Sequence, residues 1–242
     1  MSGAAQQPRA LRSASRSRPV ILQEEILPDS VTENIPPGQL ADAWRRDEIA
    51  KQLSEALEGC SLYLVGTGAR KNAIGRVLAR RLASYRYYDL SALMCSTYQT
   101  LSKSEDKVSL QQLVSSEPLS DVEQLASALL QEVQQYTRSV HVVWDGAIST
   151  PNFMVMQQGI VVNVASDTDS DETLALPSDE PEEALARWLE GHGKADVKVE
   201  LSEGVAADDA TFELMESVLA FIKANPAKNK EWKAKADAEL EA

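Results

Sequence analysis

Apolar residues along the chain fall into two rhythms. Leu62 to Val65 is a short continuous apolar run with an aromatic in it, the signal of a buried strand. Gly66 and Gly68 break that run, and Ile74, Val77, Leu78 and Leu82 follow at helical spacing. Tyr85 to Tyr88 predicts a second strand ending at Asp89, Val140 to Trp144 a third, Ile160 to Val164 a fourth and Val197 to Leu201 a fifth. Ahead of the first strand, Leu40, Trp44, Ile49, Leu53 and Leu57 predict an amphipathic helix with Arg45, Arg46 and Lys51 off its apolar stripe. Residues 91–118 are less regular, with helical pieces broken near Pro118. Ser120-Asp-Val-Glu123 has the spacing of a capping box, opening a helix that turns Val122, Leu125, Leu129 and Val133 inward. Asp208 and Asp209 precede a last core helix with Phe212, Met215, Leu219 and Ile222 on one face, ended by Pro226. Strands alternating with helices predict a three-layer α/β domain with a parallel sheet. No internal repeat is visible.

The ends of the chain break this pattern. Residues 1–23 contain Arg9, Arg12, Arg16 and Arg18, four serines and no acid, and acidic residues begin only at Glu24. That composition predicts an organellar transit peptide, with a disordered basic arm as the alternative. Residues 24–38, with Pro28, Pro36, Pro37 and Gly38, read as a linker. The folded domain is expected over 39–225, followed by a charged tail at 226–242. At 242 residues the chain is long enough for a full core, and its apolar content of 43% is ordinary for a globular protein. A net charge of −13 argues against nucleic acid as the main partner. No apolar run approaches the roughly 20 residues of a membrane span. Cys60 and Cys95 fit no metal or redox spacing and are expected as buried small apolar residues.

Chemistry concentrates after the first strand. Strand, glycine turn, lysine and helix is the layout of a phosphate-binding loop, in which helix N-terminal amides and a lysine meet the phosphates. The working pattern is Gly-x-x-x-x-Gly-Lys-Ser/Thr. Here Gly66 and Lys71 are one residue too close, Arg70 stands where the second glycine belongs, and Asn72 replaces the hydroxyl that holds Mg²⁺. Gly66, Gly68, Arg70 and Lys71 therefore form a degenerate nucleotide-binding set. Lys71 reads equally as a phosphate contact or as a surface lysine. Asp89 reads as a strand-end or helix-cap residue, and Asp145 as a lone carboxylate. His141 lies in an apolar run and His192 beside two glycines, neither reads as part of a catalytic or metal-ligand constellation, and no metal site or catalytic set is expected. Trp44, Trp144 and Trp188 are expected in the core or at an interface.

Taken in order, these stretches resemble the shikimate kinase family from about Gly59 to Ala224, and most of all its inactive plastid members. Leu62-Tyr-Leu-Val-Gly66 and Ala73-Ile-Gly75 carry the likeness at the loop, and Tyr87-Tyr-Asp89 at the second strand. Val142-Val-Trp-Asp-Gly146 stands where active members have a glycine run, and Gln158-Gly-Ile-Val-Val162 and Ala195-Asp-Val197 match the later strands. The resemblance implies a P-loop kinase fold with a five-stranded parallel sheet flanked by helices. It also locates departures. The family's Asp-Ser/Thr-Asp motif reads Asp89-Leu-Ser91, keeping the first acid and losing the second. Active relatives carry an arginine on the substrate carboxylate and another in a lid; here the one Lys or Arg between Val108 and Ala186 is Arg138. The apparent lid, residues 167–183, holds eight acids and no base. Phosphoryl transfer relies on cations over the developing charge, and one supplied arginine is worth about 10³–10⁵ in rate.

The reading that follows is a catalytically inactive, shikimate kinase-like chloroplast protein, a binding or regulatory module in chloroplast development with a protein partner. No cofactor is expected beyond weak binding of polyphosphate or ATP. A nucleotide-binding switch and an active small-molecule phosphotransferase are the alternatives.

Overall fold

The computed structural model describes residues 37–66, 70–103, 106–166, 181–201 and 204–226. The leader and most of the linker, Gly68, acidic residues 167–180 and the tail from 227 onward lie outside these. Five strands build the domain: β1 (Leu62–Val65), β2 (Arg86–Asp89), β3 (Ser139–Val142), β4 (Ile160–Ser166) and β5 (Val197–Leu201). All pair in parallel, in the order β2-β3-β1-β4-β5, so the five-stranded parallel sheet expected from the sequence is present. Every partner of β1 is a later strand: Leu62 pairs with Val140 on one side and Ile160 on the other.

Alternation along β1 sorts the core into two layers. Leu62 and Leu64 face α1 (Pro37–Leu57), α2 (Arg70–Arg81) and α8 (Ala207–Ala224), packing with Leu53, Ile74, Leu78 and Val218. Tyr63 and Val65 point the other way, to α3 (Leu90–Ser102), α4 (Leu110–Ser116), α5 (Leu119–Val133), α6 (Thr150–Met156) and α7 (Pro181–His192). Strands buried on both faces explain the continuous apolar runs. Helix α2 lies close on the sheet because Gly75 has no side chain; a Cβ there would come within 2.6 Å of Val142 Cγ2.

Local details refine the expectations at four places. Helix α5 starts at Leu119, with Pro118 at its N-cap, so Ser120 sits inside the first turn and forms no capping box. Pro118 already has helix-compatible φ and its carbonyl accepts from Asp121 and Val122, which moves the start upstream. The capping box is at α4 instead, where Ser109 Oγ accepts from Gln112 N and Gln112 Oε1 from Ser109 N. Helix α1 begins at Pro37, inside the expected linker, since a first-turn proline costs a helix nothing. Trp44, expected in the core or at an interface, is 77% exposed and so lies outside the core. The helix docks there through its polar side, with Arg45 and Arg46 over the Phe212 ring at 5.2 and 5.6 Å and paired to Glu216, Asp208 and Asp209. Cys60 is buried as expected, but Cys95 is only half-buried.

Candidate functional site

Adjacent parallel strands bring their C-terminal ends together, so that Gly66 at the end of β1, Lys71 at the start of α2 and Asp145 just past β3 lie close to one another. Gly66 ends β1 with φ +125°, and a Cβ would lie 2.2 Å from Val164 O, so glycine is required on both counts. Its carbonyl accepts from Lys71 Nζ at 2.5 Å. Lys71, one residue into α2, is 5% exposed, which excludes the surface reading. Its ammonium reaches both oxygens of Asp145 at 2.9 Å. Asp145 opens a short 3-10 turn, Asp145–Ala147, just past β3. The last residue of α7, His192, puts Nε2 3.1 Å from Asp145 Oδ1, within ion-pair reach but without the alignment of a full hydrogen bond.

The charged centre is thus a buried Lys71–Asp145 pair with His192 on its flank. Burial alone would push the Asp145 carboxyl up; Lys71 and His192 outweigh it and hold the group below the usual carboxylate range. The pairing was not legible as a motif, because the three residues are far apart in the chain. The clue was topological: Asp145 follows the strand that pairs with β1.

The other candidates scatter. Arg70 turns to Val205 O. Asn72 leaves Oδ1 buried without a hydrogen-bond partner. Asp89 caps α3, its Oδ1 accepting from Ala92 N at 3.1 Å. His141 is stacked between Tyr63 and Tyr88 at centroid distances of 4.8 and 5.3 Å, with Nε2 2.6 Å from Ser139 Oγ. Burial lowers its pKa to about 3. Trp144 and Trp188 are buried edge-to-face, 5.7 Å apart. Among the described residues no cluster of three His, Cys, Asp or Glu could hold a metal, and no helix is long and apolar enough to cross a membrane.

A cavity of about 550 Å³ lies between α5, α6 and α7, lined by Glu123, Ile148, Phe153, Arg187, Trp188 and Lys194 among others. Neither Lys71 nor Asp145 lines it. Arg187 stands one residue beyond the span in which the sequence offered a single cation. It acts on Glu123, whose carboxyl burial raises and Arg187 draws back.

A 2-3-1-4-5 parallel sheet whose central strand runs through a glycine turn into a lysine-bearing helix defines an α/β domain of the P-loop kinase type. Over 190 residues the chain is 26% identical to a shikimate kinase of Synechococcus sp. RCC307, covering 72% of this chain and 92% of that protein. A shikimate kinase of Synechococcus elongatus is 31% identical over 112 residues, 46% of this chain and 54% of that one. In sequence the chain is thus similar to shikimate kinases. The solved shikimate kinase of Acinetobacter baumannii, in complex with shikimate, superposes with a TM-score of 0.49 at 23% identity, over 71% of this chain and 98% of that one. No family model matches the chain.

Proposed function

We propose that this chain is a catalytically inactive, shikimate kinase-like protein that serves in the plastid as a binding or regulatory module in chloroplast development, through a protein partner. One observation carries the loss of catalysis. Lys71, the cation a P-loop kinase turns on its nucleotide, is held inside the protein by Asp145 and the Gly66 carbonyl. The rest agrees with it. The acid at position 91 is a serine, Asn72 is in place of the Mg²⁺-binding hydroxyl, and no Lys or Arg occurs from Ser139 to Ala186. Such transfer depends on positioned cations, so their loss removes most of the rate.

A coupled assay with millimolar shikimate and ATP tests this. Turnover should equal that of a protein-free control; about 1 s⁻¹, at the low end for kinases, overturns the reading. Thermal melting with ATP, ADP, GTP and tripolyphosphate separates the alternatives. A large, ATP-selective, Mg²⁺-dependent shift abolished by Lys71→Ala favours a nucleotide-binding switch instead. The plastid assignment rests on the acid-free, arginine-rich leader, with processing expected between Arg18 and Ser30. A fluorescent fusion of residues 1–40 should enter plastids; one that stays in the cytosol counts against it.

A further inference from the structure

An ammonium has three N–H donors, and three acceptor atoms surround Lys71 Nζ. Gly66 O is at 2.5 Å, and the two Asp145 oxygens at 2.9 Å each. The carboxylate presents two oxygens to the lysine, as a phosphate would. Its position is well fixed. Gly146 lies against the Trp144 ring, where a Cβ would come within 2.3 Å of it. Trp144 in turn packs on Trp188 of α7, the helix that brings His192 to Asp145. Burying two charges is costly unless the geometry is good, and here it is bidentate on one side and supported by an imidazole on the other.

We propose that Asp145 is a resident anion that masks a phosphoanion-binding capacity of Lys71, so that removing its charge makes the site bind inorganic polyphosphate. This rests on reading the chain as a degenerate P-loop kinase domain, and it deepens that reading. The lysine is then not a relic but half of an internal pair, and position 145 decides whether Lys71 accepts an external anion. A purely structural ion pair makes the opposite prediction: its loss destabilises the fold and confers no ligand.

The test measures tripolyphosphate binding to the full chain, by calorimetry and thermal melting, for wild type, Asp145→Asn, Asp145→Ser and the double variant Asp145→Asn/Lys71→Met. Asp145→Asn should bind tripolyphosphate about tenfold or more tighter than wild type, as a released charge-assisted contact allows. The double variant should lose that gain. Because the single variants leave a buried lysine without its partner, both are also refolded with tripolyphosphate present; recovery of a cooperative melt only with the anion supports the proposal. It fails if neither variant responds to tripolyphosphate, folded or on refolding. It fails too if the gain persists without Lys71, or if wild type already binds as tightly through Lys71. Shikimate turnover of wild type is scored separately: turnover sinks the inactive reading, whereas unresponsive variants of an inactive wild type sink only the mask.

Discussion

Lys71 and Asp145 are costly to bury singly and tolerable as a pair. Removing one partner strands the other's charge, so Lys71→Met should cost about 3–5 kcal/mol. Replacing both, as in Lys71→Met/Asp145→Leu, should recover most of that stability. Urea denaturation of the two variants checks it, and simple additivity of the two losses would refute the coupling. Gly66 is constrained differently, by its positive φ and by the Val164 carbonyl. Gly66→Ala should cost more than about 1 kcal/mol, because alanine is strained in that conformation whatever its neighbours do.

Helix α1 has two modes of attachment along its length. Its C-terminal half buries Ala50, Leu53 and Leu57 among residues of the sheet, α2 and α8. Its N-terminal half is held by Arg46 on Asp208 and Asp209, while Arg81 of α2 bonds Asp208 and Asp47. Asp208 and Asp209 also lie in the first turn of α8, where negative charge suits the helix dipole. The two halves should therefore respond to different treatments. Leu53→Ala should cost about 2–5 kcal/mol. Trp44→Ala should change stability by less than about 0.5 kcal/mol, as exposed positions do. Asp208→Ala should cost about 1 kcal/mol, since these pairs are solvent-accessible, and the loss should shrink between about 0.05 M and about 1 M salt. Equal effects of Trp44→Ala and Leu53→Ala on denaturant midpoints would contradict this division.

At the scale of the whole molecule, two buried groups among the described residues contribute to the response to acid. His141 has its pKa lowered from 6.5 to about 3 by burial. Below pH 6.5 the unfolded chain binds a proton there that the folded protein refuses. Stability from this group is complete above 6.5 and falls with pH until about 3, by up to about 1.4 kcal/mol per pH unit. Asp145 acts at lower pH. Its folded value lies below 3.8, so its contribution is intact above 3.8 and is lost as pH falls through the folded value. Denaturation midpoints followed from pH 7 downward should decline in both ranges. His141→Phe should flatten the upper range and Asp145→Asn the lower. A wild-type stability that stays level to pH 4 would refute the assignment to His141.

Period and composition were enough to locate all five strands and their parallel arrangement. A strand buried on both faces is a continuous apolar run, as Leu62–Val65 is, and Ile160–Val164 departs from one only at Asn163. Gly66 could likewise be picked out before any fold was known, as the turn that ends the first strand. Contacts between distant segments were not legible. Trp44 matched the helical stripe by spacing, yet charge pairing with α8 oriented that half of the helix, and apolar periodicity carries no information about it. Pro118 set the start of α5 ahead of the Ser120 motif, because local backbone restriction outweighed a side-chain signal. Lys71, Asp145 and His192 each looked ordinary where they stood in the chain. Only the adjacency of β1 and β3, with the close of α7 over their ends, brought an ammonium, a carboxylate and an imidazole into one buried cluster. The sequence alone determined the scaffold and where its loop departs from the Gly-x-x-x-x-Gly-Lys-Ser/Thr pattern. The tertiary structure decided where the remaining lysine points, because a buried charge goes to the nearest group able to neutralise it.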